Sequence, residues 1–425
     1  MRRLAPLVGV VLLVLATGLN AQSGSSDVAG LPTARPEAVG ISSARLARIG
    51  EALNREIAAD RMPGAVVAIA RRGQVVYYEA FGYLDKAAGT PMPKDAIFAI
   101  ASMTKPIFSV AAMSLYEEGR LLMNETVATY LPELGQRVVA IDEDGSQTEP
   151  ANRQPTIQDL LRHTSGFVAR GGGDTALHDR YAGDLVTYPL PAGDYLKTLA
   201  ALPLRYQPGT TWEYGPGFDI LGLAIERITG KPIHTVLTER LFAPIGMTDT
   251  AFTIPAGKAS RQARPLPRNP LTGATQAMRN QTEPRAVGCG SGCLASTAAD
   301  YLAFAQMLLN GGRLNGAHVL GQKTVEFMTS DHAEDGVDLT GLHNYPSLHY
   351  DDHGFGLGVA VRRSPGGGGT VGSPGTWSWA GSQGTYFWVD TREELVVVHM
   401  AQTPGDIRGY YRQLLPALVY QSLVD

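Results

Sequence analysis

Leu46, Ile49, Leu53 and Ile57 recur every three or four positions, the spacing of one helical face. Ser42 or Ser43 stands where a side-chain oxygen would cap that helix. The period then changes. "AVVAIARRGQVVYYEAFGYL" reads as two strands joined by a tight turn near Arg72 and Gly73. The same texture returns near the far end in "FGLGVAVRR", the glycine turn "SPGGGG", "TWSWAGSQGTYFWVD" and "ELVVVHMA", and the chain finishes in an amphipathic helix, "DIRGYYRQLLPALVYQSLV". Helical signals dominate the long middle. "TIQDLLRH" has Thr156 followed by Asp159, and "STAADYLAFAQMLLNGG" has Thr297 followed by Asp300; both are capping boxes with Asp in place of Glu.

Strands at both ends around a helical middle predict an α+β fold. Its antiparallel sheet is built from both chain ends, residues 41–100 and 335–425, and flanked by terminal helices. A large, mostly helical subdomain, residues 101–334, is inserted between them. The glycine run at 366–369 is expected to be a loop, since a phosphate cradle would want a following helix with lysine and here a strand follows.

The first residues read as an address. "MRRL" is basic, "APLVGVVLLVLATGL" is apolar, and Ala21 is a small residue at a cleavage position. Residues 1–21 are the expected signal peptide, 22–40 a Gly/Ser/Pro-rich linker, and the mature protein periplasmic or secreted with no stable membrane insertion; an uncleaved anchor is the alternative. The remaining 400 or so residues, 44% hydrophobic over the whole chain, suffice for one enzyme-sized unit with a large core. A net charge of -4 without a long Lys/Arg run gives no basic field for nucleic acid. The two cysteines, Cys289 and Cys293 in "GCGSGCLAST", suit a local disulfide in an oxidising compartment or a pair of buried thiols, and the stretch lacks further zinc ligands.

Candidate chemistry centres on "AIASMTKPIFSVAAMSLYEEGR", residues 99–120. Lys105 opens a helix destined for the core, an awkward place for a charge. It stands three positions after Ser102, so hydroxyl and amine can be neighbours on one face. Burial lowers a lysine pKa because the charged form loses hydration, and a neutral amine can take the proton from a serine hydroxyl. The helix start adds N–H groups that favour a developing oxyanion. Alone, SxxK is a weak pattern, more often a capping serine and a lysine reaching solvent.

Six segments in order, "FAIASMTKPIFSVAAMSLYEEGRL", "LLRHTSGF", "LPLRYQPGTTWEYGPGFDILG", "LFAPIGMTDTAF", "CLASTAADYLAFAQMLLNGG" and "WAGSQGTYFWVD", resemble the β-lactamase-related serine hydrolases. That superfamily includes class C β-lactamases, D,D-peptidases and family VIII carboxylesterases. The resemblance implies Ser102 as the acylated serine, Lys105 as its partner and Tyr214 as the tyrosine sharing proton transfer. It implies the backbone N–H groups of Ser102 and Ser382 as the oxyanion hole, with Gly381 letting that strand approach the substrate. No metal or organic cofactor is implied.

The chain departs from the β-lactamase and D,D-peptidase pattern at two places. Trp379, Ala380 and Gly381 stand where those enzymes usually carry a cationic triplet, and an indole cannot hold a substrate carboxylate. Pro216 stands where an asparagine often contacts a substrate amide, and proline has no donor. Both changes favour an uncharged ester, and the family VIII esterases are described by a tryptophan at this place. The expected activity is a carboxylesterase acting through a Ser102 acyl-enzyme on a small ester or amide. Rival readings are a D,D-carboxypeptidase or β-lactamase, an acyltransferase, and a catalytically silent binding protein. His163 is expected to be structural, and Trp377, Trp379 and Trp388 are candidates to line an acyl pocket. The cluster His343, His349, Asp351, Asp352 and His353 reads as a solvated loop before a metal site.

Overall fold

The computed structural model describes residues 27–169, 173–185, 191–276, 280–283, 289–333, 336–345 and 350–425. The expected signal peptide and His349 lie outside the described residues. Helix α1 (Ser43–Ala58) forms as its periodicity predicts, and Ser42 caps it by accepting from Arg45 N–H. Strands β1 (Gly64–Arg71) and β2 (Gln74–Asp85) follow. Their two-residue turn holds Arg72 and Gly73 at φ 51° and 73°, the left-handed pair of a type I′ hairpin.

One eight-stranded antiparallel sheet unites the two chain ends. It comprises β1, β2, β3 (Thr90–Pro91), β4 (His353–Phe355), β5 (Ala360–Arg362), β6 (Trp377–Ala380), β7 (Tyr386–Asp390) and β8 (Leu395–Ala401), in the order β4-β5-β6-β7-β8-β1-β2-β3. The closing contact is β1 on β8, with Val66 opposite Met400 and Ala70 opposite Val396. Both faces are covered, so every residue of β1 is buried. Ala65, Val67 and Ile69 face α1 and the C-terminal helix, while Val66, Ala68 and Ala70 face the helical middle. A slip of one residue would exchange those faces.

Helix α2 (Thr104–Glu117) is buried throughout residues 104–115, the state expected of a helix apolar on every side. Helix α3 (Ile157–Leu161) and α2 both pack against α4 (Gly217–Thr229), while α5 (Ala298–Leu309) lies on β1 and β8; α6 (Ile407–Tyr420) ends the chain. Thr156 and Asp159 form a full capping box on α3. At α5 only half of the box survives in the expected form: Thr297 accepts from Asp300 N–H, but the Asp300 carboxylate is turned to Asp249 N–H and the Thr250 hydroxyl. The stretch "FGLGVAVRR" is likewise not one strand. Gly356 N–H bonds Val359 O at 2.8 Å, reversing the chain so that β4 pairs with β5. Among the described residues no helix is long and apolar enough to cross a membrane.

Candidate active site

Ser102 sits in a 3-10 turn, Ala101–Met103, between the short strand Phe98–Ala99 and α2. Ala101 has φ 44°, a left-handed conformation that costs a non-glycine residue roughly 1–2 kcal/mol. Neighbouring hydrogen bonds hold the turn in place. Ile100 N–H reaches Leu294 O at 3.0 Å, Tyr301 OH reaches Met103 O at 2.9 Å, and Leu294 N–H reaches Thr104 Oγ1 at 3.1 Å.

Lys105 lies in the first turn of α2 and is fully buried. Its amine donates to the Tyr214 hydroxyl and to the Ser291 carbonyl, the latter at 2.6 Å. Tyr214 OH in turn lies 2.7 Å from Ser102 Oγ. The hydrogen-bonded order is therefore Lys105–Tyr214–Ser102, with the phenol between the two residues that sequence spacing makes neighbours. Ser102 and Tyr214 are half-buried, so the chain of groups opens outward from a sealed amine to a reachable hydroxyl.

Burial lowers the Lys105 pKa to about 7, and the negative charge of Asp219 opposes that shift. The Tyr214 pKa is driven well above the ordinary tyrosine value by burial, with Tyr345 adding to the rise and the Ser102 hydrogen bond opposing it. His163 stacks on Tyr214 with ring centroids 4.6 Å apart, and burial beside the lysine holds its pKa well below the ordinary range. Near neutral pH the amine is thus the group able to accept a proton, while the phenol stays protonated and the imidazole stays neutral. His163 acts as a buried wedge, its Nδ1 accepting from Gly215 N–H at 3.4 Å.

Trp379, on β6, is buried and stacks on Tyr350 at 5.6 Å and on Tyr214 at 6.2 Å. The other two tryptophans expected to line a pocket stand elsewhere. Trp377 packs on Phe387, and Trp388 lies on the opposite face of the sheet, against Tyr420 of α6. Gly381 follows β6, and a Cβ placed there would come within 2.3 Å of Ile100 O. Its carbonyl accepts from buried Arg412 at 2.8 Å, and Ser382 stands exposed in the turn beyond it. Pro216 is the N-cap of α4.

His353 is buried in β4, His343 bonds the His353 carbonyl, and among the described residues no group of three or more His, Cys, Asp or Glu side chains is gathered as for a metal. Two residues that sequence reasoning passed over complete the site. Asp219, the acid in the first turn of apolar α4, accepts from Ser291 N–H at 2.9 Å and from Ser291 Oγ at 2.7 Å. An aspartate opening an otherwise apolar helix was the available signal; a backbone carbonyl such as that of Ser291 leaves none.

A sequence profile of the β-lactamase family matches residues 49–415. The chain is 35% identical over 314 residues to protein Rv1367c of Mycobacterium tuberculosis, covering 72% of this chain and 76% of that one. It is 36% identical over 225 residues to esterase EstB of Burkholderia gladioli, covering 51% of this chain and 54% of EstB. Its fold is that of EstCE1, a hydrolase with promiscuous acyltransferase activity: the TM-score is 0.70 at 24% identity, covering 89% of this chain and 99% of that one. A profile spanning nearly the whole sheet and helical middle, over a fold of both chain ends, places the chain in the β-lactamase-related serine hydrolase superfamily.

Proposed function

We propose that the protein is an exported carboxylesterase that works through an acyl-enzyme on Ser102, with Lys105 as base and Tyr214 as proton conduit. The observation that carries this reading is the hydrogen-bonded series from sealed amine through phenol to half-buried hydroxyl. With the amine neutral, Tyr214 donates to Lys105 and Ser102 donates to Tyr214. As Ser102 Oγ attacks the ester carbonyl carbon, its proton passes to the phenol while the phenol proton passes to the amine. The ester C–O bond then breaks, and the leaving alkoxide takes a proton back along the same route. Water repeats the sequence in reverse to release the acid. The N–H groups of Ser102 and Ser382 serve the oxyanion.

Trp379 and Pro216 support an uncharged ester, for the reasons of charge and donor capacity given above. EstB is named an esterase, which favours the same class. An alcohol in place of water would give a new ester by the same steps, and the acyltransferase activity in the description of EstCE1 supports that as a second outcome. Export is supported by the disulfide between Cys289 and Cys293, a bond that persists in oxidising compartments. The test is labelling with a fluorophosphonate and mass spectrometry, beside rates on p-nitrophenyl esters, nitrocefin and a D-Ala-D-Ala peptide. Modification at Ser102 with ester turnover dominant is expected. An unmodified Ser102, or faster cleavage of the peptide, would overturn the reading.

A further inference from the structure

We propose that the Cys289–Cys293 disulfide and Asp219 form a clip that holds the Ser291 carbonyl against the Lys105 amine, making these three side chains positioning residues for acyl transfer. The inference rests on Lys105 being the base, as proposed above. Cys289 and Cys293, both buried, are bonded with Cα atoms 5.6 Å apart and close a five-residue loop whose centre is Ser291. That centre is fixed by three hydrogen bonds. Its carbonyl accepts from Lys105 Nζ at 2.6 Å, while its N–H and Oγ reach the two carboxylate oxygens of Asp219 at 2.9 and 2.7 Å.

The loop is wedged against the machinery on both sides. A Cβ at Gly290 would fall 2.0 Å from Phe218 O, next to Asp219, and one at Gly292 would meet the backbone of Ala101, next to Ser102. Directly after the disulfide, Leu294 bonds Ile100 and Thr104, which flank the nucleophile turn. Glycines on either side of Ser291 permit this close approach but leave the loop free in many other conformations. The cross-link removes that freedom.

Chemistry explains why a carbonyl is wanted there. A neutral amine has two N–H bonds and one lone pair. When one N–H is engaged by Ser291 O, rotation about the last bond of Lys105 is restricted, and the lone pair can be aimed at the Tyr214 proton. The groups facing the amine are Tyr214 and, behind it, Tyr345; His163, which is neutral; and Asp219, the negative charge that raises the lysine pKa against the lowering by burial.

The two halves of the clip can be separated by sign. Replacing both cysteines by serine should free the carbonyl and admit water to the amine. We expect kcat to fall about 10- to 100-fold, the scale of a small misplacement at a reacting group, with KM within twofold. The acid limb of the pH profile should move up. Asp219→Asn removes the attractive charge, so the limb should move down. Wild-type kcat and an unmoved limb in the folded double cysteine variant would overturn the clip, as would two free thiols detected by iodoacetamide mass spectrometry in the native protein. Should that variant fail to fold, Asp219→Asn decides alone, and an unmoved limb there overturns the proposal. Fluorophosphonate labelling of wild-type Ser102 is run alongside: its failure sinks the esterase reading, whereas normal labelling with unaltered variants sinks only the clip.

Discussion

The Tyr214 hydroxyl lies 2.7 Å from Ser102 Oγ while also receiving the Lys105 amine, so a single phenol links the proposed base to the proposed nucleophile. Tyr214→Phe keeps the ring stacked between His163 and Trp379 and removes just the conduit. Steady-state rates on a p-nitrophenyl ester should show kcat lowered by roughly 10²- to 10⁴-fold, the worth of a general acid–base step, with the melting temperature nearly unchanged. Ser102→Ala should abolish turnover without unfolding the protein. A tyrosine variant that turns over at the native rate would remove the phenol from the mechanism.

In the proposed mechanism the lysine sets the pH dependence. Its pKa is lowered to about 7, and the proposed working form is the neutral amine, so kcat/KM should rise through about pH 7 and level off above it. Tyr214, held well above its ordinary value, stays protonated across that range, and His163, held well below its own, contributes no limb there. Lys105→Arg tests the assignment, because a guanidinium does not lose its proton in proteins. A rise through pH 7 that persists in Lys105→Arg would assign the limb to another group.

The same burial makes Lys105 a stability liability. The folded pKa is below the unfolded value of 10.5, so between about pH 7 and 10.5 the unfolded chain binds more protons, and stability rises with pH across that window. At neutral pH the cost is on the order of a few kcal/mol, partly offset by the hydrogen bonds to Tyr214 and Ser291. Lys105→Met, similar in length and apolar, should raise the melting temperature at pH 7 while eliminating turnover. Calorimetry showing a lower melting temperature would mean that those hydrogen bonds outweigh the desolvation.

Periodicity carried the fold far because the strands and capped helices obey local rules. The apolar run of β1, the Arg72–Gly73 turn and the Ser42 and Thr156 caps are all set by neighbours in sequence. Non-local contacts are what the sequence could not display. Asp300 leaves its expected capping partner for Asp249 and Thr250, and Trp388 goes to the outer face because β7 alternates across the sheet, away from Trp379. Ser102 and Lys105 were legible from their spacing and Tyr214 from its segment. That the phenol stands between them, and that Ser291 meets the amine, depends on segments 109 and 186 residues away from Lys105.

Gly381 tests whether β6 and the Ser102 turn must touch. A Cβ there would lie 2.3 Å from Ile100 O and 2.3 Å from Thr385 Oγ1, and Thr385 itself donates to Ile100 O at 3.2 Å. The backbone carbonyl cannot swing aside like a side-chain tip, and Arg412 pins the Gly381 carbonyl from the other side. Gly381→Ala must therefore separate β6 from residues 100–102. We expect a loss of about 1–3 kcal/mol from overpacking and, because the shift moves Ser382 relative to Ser102, a fall in kcat/KM on the order of 10²-fold. Gly257→Ala, where an added methyl meets nothing within 4 Å, is the control and should match the native protein in both denaturant midpoint and rate. If Gly381→Ala behaves like that control, the close approach of strand to turn plays no part in holding the site.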